Sequence, residues 1–177
     1  PESLKNNPVE AESEQQPEFP YVAEITGNDV NIRSGPGTEY YSCGKLDKQD
    51  RVQVVGSQYG IWAQIVPPEG SFSWILKEYV QADPNNPGLG VVTGEPIRVY
   101  AGSDRYKPMH STTVQVKLDK GDTVRLMGEE SEGYYKIYPP ANVYLWVSSD
   151  YVSHLGDVED VPLEVAEPAE PKPAAEP

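Results

Sequence analysis

The chain has 177 residues, of which 37% are hydrophobic, and it carries a formal net charge of −14. No apolar run approaches the ~20 residues that a transmembrane helix needs, and no basic patch is present to displace counterions from a nucleic acid, so neither membrane insertion nor nucleic-acid binding is expected. The single cysteine excludes a disulfide within the chain and a cysteine-based metal cluster.

The acidity is concentrated at the two ends of the chain. Residues 1–20 hold five Glu and one Lys, a charge of −4, and residues 153–177 hold seven acidic residues and one Lys, a charge of −6. Both ends are rich in Glu, Pro and Ala, a composition that buries too little apolar surface to offset the entropy of ordering. We therefore predict disordered acidic segments over 1–20 and 154–177.

Between these ends the sequence repeats itself. The segment Leu46–Gly56 returns as Leu118–Gly128, and Trp74-Ile75 returns as Trp146-Val147, in both cases 72 positions later. The part upstream of these segments repeats with an offset of only 67, which gives the second copy five extra residues. Because a strand that gained five residues would lose its register, we place them in a longer loop over 103–116.

Both copies show the sequence pattern of short strands. Apolar residues such as Val30 and Ile32 alternate with polar ones, and Gly, Pro, Asn and Asp separate the runs, which indicates a small antiparallel barrel or sandwich. We predict one domain over 21–81 and a second over 91–153. The segment 82–90 is rich in turn residues and is predicted to be a short linker.

The alternation also assigns side chains to the two faces of each strand. The side chains expected to face the cores are Val30, Ile32, Val52, Val54, Ile65, Ile75, Ile97, Val99, Val124, Leu126, Ile137 and Val147.

Paired prolines separate some of these strand patterns. Pro67-Pro68 and Pro139-Pro140 are predicted to begin hairpin connections.

The motifs of the first copy follow the order found in a known family. They are Val-Asn-Ile-Arg-Ser-Gly-Pro-Gly over 30–37, the Leu46–Val54 hairpin, Trp62 and Trp74-Ile75. This pattern resembles the bacterial SH3-like domain over essentially all of 27–80. The second copy resembles the same family in its hairpin and in its Trp-Val pair, but it has Tyr-Ala-Gly-Ser-Asp over 100–104 where the Gly-Pro-Gly turn would be.

The resemblance implies an all-β fold with two tandem SH3-like barrels of about five strands each. It also implies a non-catalytic binding or targeting module of the bacterial cell envelope, in a secreted, periplasmic or envelope location, although no leader sequence is visible. The expected ligand is the glycan or the stem peptide of peptidoglycan, and two copies would raise the effective concentration for a polymer. The alternative is a scaffold that binds a partner protein or peptide through an aromatic surface or an edge strand. A third class is a regulatory part of a larger enzyme.

The aromatic residues are the candidate ligand surface. If the aliphatic residues face the cores, alternation sends the strand aromatics to the opposite face, near several loop tyrosines, where rings can stack on sugars or peptides. The alternative is that these rings cover the barrel ends or pack the two copies together. Arg33 would pair with a ligand carboxylate or brace an acidic side chain of its own barrel. The candidate ligand-binding residues are Arg33, Tyr40, Tyr41, Tyr59, Trp62, Trp74, Tyr106, Tyr134, Tyr144 and Trp146.

The residues offer little support for catalysis. Cys43 is the single cysteine, and the two histidines, His110 and His154, both lie in the second copy. A nucleophile and its base must lie within hydrogen-bond reach, and nothing in the sequence brings these residues together. We predict no enzyme activity, no cofactor and no metal site.

Overall fold

The computed structural model describes residues 17–162, which form strands and three 3-10 turns without an α-helix. No helix in this part of the chain has the length and apolar character to cross a membrane. The strands are β1 (Tyr21–Ile25), β2 (Val30–Arg33), β3 (Ser42–Leu46), β4 (Arg51–Gln58), β5 (Trp62–Ile65), β6 (Ser73–Leu76), β7 (Val80–Asp83), β8 (Asn86–Val92), β9 (Ile97–Ala101), β10 (Val114–Leu118), β11 (Thr123–Ser131), β12 (Tyr134–Ile137), β13 (Leu145–Ser148) and β14 (Val152–Asp157). The 3-10 turns are Lys77–Tyr79, Pro108–His110 and Ser149–Tyr151.

The strands form two seven-stranded sheets with equivalent strand orders. The first sheet has the order β14-β1-β4-β5-β13-β2-β3, and the second has the order β7-β8-β11-β12-β6-β9-β10. Each sheet curls around its own apolar core, and we call the two units the first and the second barrel. The prediction of an all-β fold consistent with SH3-like barrels is confirmed, with seven strands in each sheet where about five were expected.

Each barrel takes two of its strands from the other repeat. Strands β6 and β7 belong to the first copy but lie in the second barrel, whereas β13 and β14 of the second copy lie in the first barrel. The exchange is reciprocal, since Trp74 of β6 pairs with Tyr100 of β9 and the equivalent Trp146 of β13 pairs with Arg33 of β2. The two sheets therefore do not follow the predicted domain limits. Those limits remain a prediction of where each sequence repeat begins and ends.

Paired prolines begin the connections that carry the chain from one barrel to the other. Pro67-Pro68 and Pro139-Pro140 are buried. Proline has no N–H for a strand ladder and forces the preceding residue into an extended conformation, so the chain does not fold back onto the strand that it leaves. A turn follows, in which Ser71 N donates to Pro68 O at 3.0 Å and Gly70 has a φ of 97°. The prediction of hairpins at these prolines is wrong, because β5 pairs with β4 and β13 instead of β6.

The segment predicted as a linker over 82–90 forms the β7–β8 hairpin instead. Val80 lies opposite Val92, and the register shifts between Ala82 and Asp83 near the hairpin tip. This irregularity tolerates Pro87, which has no N–H to donate.

The predicted disordered ends lie mostly outside the described residues. Residues 1–16 and 163–177 are not described. At the second of these ends, β14 continues to Asp157, so the ordered part extends past the predicted boundary at 154.

The exchanged strands complete both apolar cores. Ile75 of β6 lies fully buried with Val99 and Ile137 in the second barrel, and Val147 of β13 lies fully buried with Ile65 in the first. The other side chains predicted to face inward are also buried, except Leu126, which is partly buried against the second core. In this structure each barrel is therefore closed by strands of the other repeat.

The exchange predicts where a core mutation acts. Ile75→Ala should lower the free energy of unfolding by about 2–5 kcal/mol, because it removes buried methyl groups and leaves a cavity. Although Ile75 belongs to the first repeat, hydrogen-exchange protection should fall more in β9 and β12 of the second barrel than in β2 and β5 of the first. Val147→Ala is the reciprocal control and should give the opposite distribution. Greater loss in β2 and β5 for Ile75→Ala would contradict the exchanged topology.

Candidate functional site

The two barrels meet along hydrogen bonds between the turn after β2 and the loop before β10. The Tyr41 hydroxyl donates to Ala101 O at 2.8 Å and accepts from Thr113 N at 3.2 Å. The hydroxyls of Ser34 and Thr113 lie 2.8 Å apart. Tyr41 is therefore a bridging residue as well as a candidate site residue.

The buried Ser103 hydroxyl fixes the loop of the second copy against β3. It donates to Ser42 O at 2.7 Å and accepts from Arg105 N at 3.0 Å. Asp104 N donates to Cys43 O at 3.2 Å. These contacts lie in the loop that carries the five extra residues, and they bring its side chains to the first barrel.

A cleft of about 410 Å³ lies at this seam, and we call it the junction cleft. Both repeats contribute to it, so the first copy alone does not form it. Its lining residues are Asn31, Arg33, Thr38, Glu39, Tyr40, Tyr41, Ser42, Arg105 and Tyr106.

Arg33 lies at the end of β2 and holds the turn that follows. Its Nη1 donates to Tyr40 O at 2.8 Å and to Thr38 O at 3.4 Å. Gly35 is required in this turn, because a Cβ at its position would lie 2.4 Å from the ring of Tyr40. Arg33 thus braces backbone carbonyls of its own barrel while its side chain lines the cleft.

Two rings and one unpaired acceptor define the chemistry of the cleft. The rings of Tyr41 and Tyr106 make an edge-to-face contact with centroids 5.9 Å apart, and Tyr106 is 47% exposed. Burial raises the pKa of Tyr41, so its hydroxyl remains protonated at neutral pH. Asn31 Oδ1 is buried and has no hydrogen-bond partner within the described residues. A buried acceptor without a partner calls for a donor from water or from a ligand.

Four of the ten predicted site residues converge in this cleft, namely Arg33, Tyr40, Tyr41 and Tyr106. Four others are placed elsewhere. Tyr144 and Trp146 line a separate cleft of about 170 Å³, Tyr134 makes an edge-to-face contact with Tyr100 at 6.3 Å, and Tyr59 is 76% exposed at the tip of the β4–β5 hairpin.

The remaining two, Trp62 and Trp74, do not form part of an exposed aromatic surface. Trp62 is 9% exposed and Trp74 is 7% exposed. Trp74 points away from the core, as predicted from the alternation, but Phe72 covers it in an edge-to-face contact at 5.3 Å, and Lys136 Nζ lies 4.3 Å from the centre of the Phe72 ring. Both tryptophans are therefore largely covered in this structure, and ligand binding by them stays a prediction.

Sequence reasoning missed five of the lining residues, namely Asn31, Thr38, Glu39, Ser42 and Arg105. Arg105 had a signal, because it lies beside Tyr106 in the inserted loop of the second copy. Asn31 had none, since an Asn between two apolar strand residues gives no sign that its oxygen will be buried without a partner.

The described residues contain no group of three or more His, Cys, Asp or Glu that could hold a metal ion. Burial, with a further contribution from Asp104, raises the pKa of Cys43 from 9.0 to about 12. Since the thiolate is the nucleophilic form, Cys43 is unreactive at neutral pH.

Comparison with known proteins finds a family model that matches part of this chain. Residues 28–81 match the family model described as bacterial SH3 domain. This segment includes β6, so it supplies strands to both barrels.

A curated relative is similar over a longer stretch. This protein, "Putative N-acetylmuramoyl-L-alanine amidase YrvJ" of Bacillus subtilis (strain 168), is 30% identical over 142 residues, which cover 76% of this chain and 26% of the relative. The chain thus spans about a quarter of the relative's length. No solved structure matches the chain.

The raised pKa of Cys43 predicts a loss of stability in alkali. The thiol ionises near pH 9 in the unfolded chain but only near pH 12 in the folded one, so the unfolded state binds fewer protons across this window. The free energy of unfolding should therefore fall as pH rises from about 9, by at most about 1.4 kcal/mol per pH unit from this group. Urea unfolding of the parent and of Cys43→Ala at a series of pH values checks this. The Cys43→Ala variant should lose less stability, and equal losses in both proteins would contradict the assignment.

Proposed function

We propose that this chain is a non-catalytic, cell-wall-associated binding module whose junction cleft recognises peptidoglycan through its stem peptide or the adjoining glycan. The bacterial SH3 domain match and the similarity to a protein named as a putative N-acetylmuramoyl-L-alanine amidase support a wall-associated role. The observation that carries the assignment to the cleft is its composition, in which two arginines and three tyrosines of the two repeats line one cleft.

The cleft suits a peptide that bears carboxylates and amide N–H groups. Arg105 is exposed, and a guanidinium presents a planar set of donors that matches a carboxylate. The exposed ring of Tyr106 offers an apolar face with little conformational entropy to lose on binding. Because charge contributes, binding should weaken as the salt concentration rises.

The second repeat completes this site in the proposal. We interpret it as a divergent copy of the SH3-like domain, since its strands occupy equivalent places in the second barrel. Its loss of the Gly-Pro-Gly turn accompanies the gain of the loop that delivers Arg105 and Tyr106. The two repeats then act as one composite site, and we expect a secreted or envelope location in which that site can reach the wall.

A non-catalytic role agrees with the residues at the cleft. Its lining holds hydroxyls, one amide, two guanidinium groups and the single carboxylate of Glu39, and Cys43 beside it remains protonated. The described residues therefore present no activated nucleophile at this site, and an activity such as that in the relative's name would have to reside elsewhere in a longer protein.

Sedimentation with insoluble peptidoglycan tests the proposal. The parent should sediment with the polymer, and Tyr106→Ala should reduce the apparent affinity by about tenfold or more, as loss of a central aromatic contact does. Arg105→Gln should also weaken binding, and should make it less sensitive to salt. Tyr59→Ala is the matched control, because it removes a tyrosine that is even more exposed than Tyr106 and does not line the cleft.

Two outcomes would contradict the proposal. The first is a parent that stays in the supernatant, which would favour a protein partner. The second is an equal loss for Tyr59→Ala and Tyr106→Ala, which would show that sedimentation does not depend on the junction cleft. Circular dichroism spectra of all variants should match the parent, so that a loss of binding is not a loss of fold.

A further inference from the structure

The second barrel carries a separate groove of about 480 Å³. It lies between the 3-10 turn after β6 and the start of β9, so strand exchange places residues of both repeats in it. The residues that matter for its chemistry are Leu76, Tyr79, Glu95, Pro96, Arg98 and Tyr100. None of them lines the junction cleft.

Packing holds both tyrosine rings of this groove in place. The ring of Tyr79 lies against Gly94, where a Cβ would come within 3.0 Å of it, and Thr93 N donates to Tyr79 O at 2.9 Å. The ring of Tyr100 makes an edge-to-face contact with Tyr134. Rings that are fixed before a ligand arrives lose little entropy when they bind it.

The first barrel provides an internal comparison for this groove. Its equivalent of Tyr79 is Tyr151, which packs against Gly27 in the same way, and Thr26 N donates to Tyr151 O at 3.0 Å. This tyrosine–glycine contact is therefore common to both barrels and belongs to the fold.

The other lining residues differ between the barrels. The repeat offsets pair Leu76 with Ser148, Pro96 with Asp29, Arg98 with Asn31, and Tyr100 with Arg33. The first barrel has polar residues at these four equivalent positions and still adopts the same fold. The fold itself therefore does not require the apolar and aromatic lining that the second barrel has. This lining is a feature of the surface of one barrel.

We propose that this groove is a second binding site that takes a sugar ring of a glycan. The C–H groups on one face of a pyranose pack against the electron-rich face of a tyrosine ring. Arg98 and Glu95 are exposed at the same groove and supply a donor and an acceptor for hydroxyl or acetamido groups. A pocket with an aromatic lining and few polar groups is the usual form of a small-ligand site.

One acidic and one basic residue at the rim favour an uncharged ligand over a strongly charged one. The inference rests on the proposed function in one respect. The groove would bind the sugar of a polymer whose stem peptide the junction cleft binds. The groove itself can be tested without that polymer.

The test is a titration of the full chain with a soluble N-acetylglucosamine tetramer, followed by NMR of the backbone amides. Signals of residues 76–79 and 95–100 should shift, and Tyr100→Arg should weaken binding by about tenfold, as loss of a central aromatic contact does. Tyr100→Arg inserts the residue that the first barrel carries at the equivalent position, so the fold accommodates it. Pro96→Asp is a second variant of the same kind, and Tyr59→Ala, which removes a tyrosine that lines neither the groove nor the junction cleft, should leave tetramer binding unchanged.

The inference is overturned if the tetramer shifts no signals in the groove, or if Tyr100→Arg and Pro96→Asp bind it as the parent does. It is also overturned if a proline-rich peptide, titrated in parallel, shifts the groove signals while the tetramer does not. Tetramer binding at the groove by a chain that fails to sediment with peptidoglycan would leave this inference standing and refute the proposed function of the cleft.

Discussion

The reciprocal exchange of the closing strands is the constraint on which the rest of the structure depends. Two consecutive prolines in each connection keep the chain extended as it leaves β5 and β12, so that β6 and β13 reach the opposite barrel. Each core then contains a fully buried residue of the other repeat, Ile75 in one case and Val147 in the other. The barrels are consequently joined by four strands and not by a linker.

This interlocking explains why a binding site can lie between the barrels. A cleft between two loosely tethered domains would change shape as the domains moved, whereas these barrels also share the hydrogen bonds of Tyr41 and Ser103. Residues of the two repeats are thereby held together at the junction cleft. The same exchange builds the aromatic groove of the second barrel, where the 3-10 turn of one repeat meets β9 of the other.

Many of the strands, the two cores and the loop of the second copy were predictable from the sequence, because alternation and the repeat offsets are local signals, whereas the β7–β8 hairpin was predicted as a linker. The exchange was not, since Trp74-Ile75 and Trp146-Val147 have the same pattern and either pair fits either barrel equally well by local criteria. The paired prolines were visible, but they were interpreted as hairpin entries. The site was likewise predictable only in part. Sequence analysis proposed four of its residues individually, Arg33, Tyr40, Tyr41 and Tyr106. It could not predict that they lie together, because that depends on contacts between the repeats. Trp62 and Trp74 were expected to be open to ligands because alternation predicts the direction of a side chain and not what covers it.

The most direct test of this account is to identify the strand that lies beside each tryptophan. Proton–proton NOEs between backbone atoms report such pairs in solution, and the repeat makes the alternatives specific. The exchanged structure predicts contacts from Trp74 to Tyr100 and from Trp146 to Arg33. Contacts from Trp74 to Arg33 and from Trp146 to Tyr100 would show that each repeat closes its own barrel, and would contradict the account.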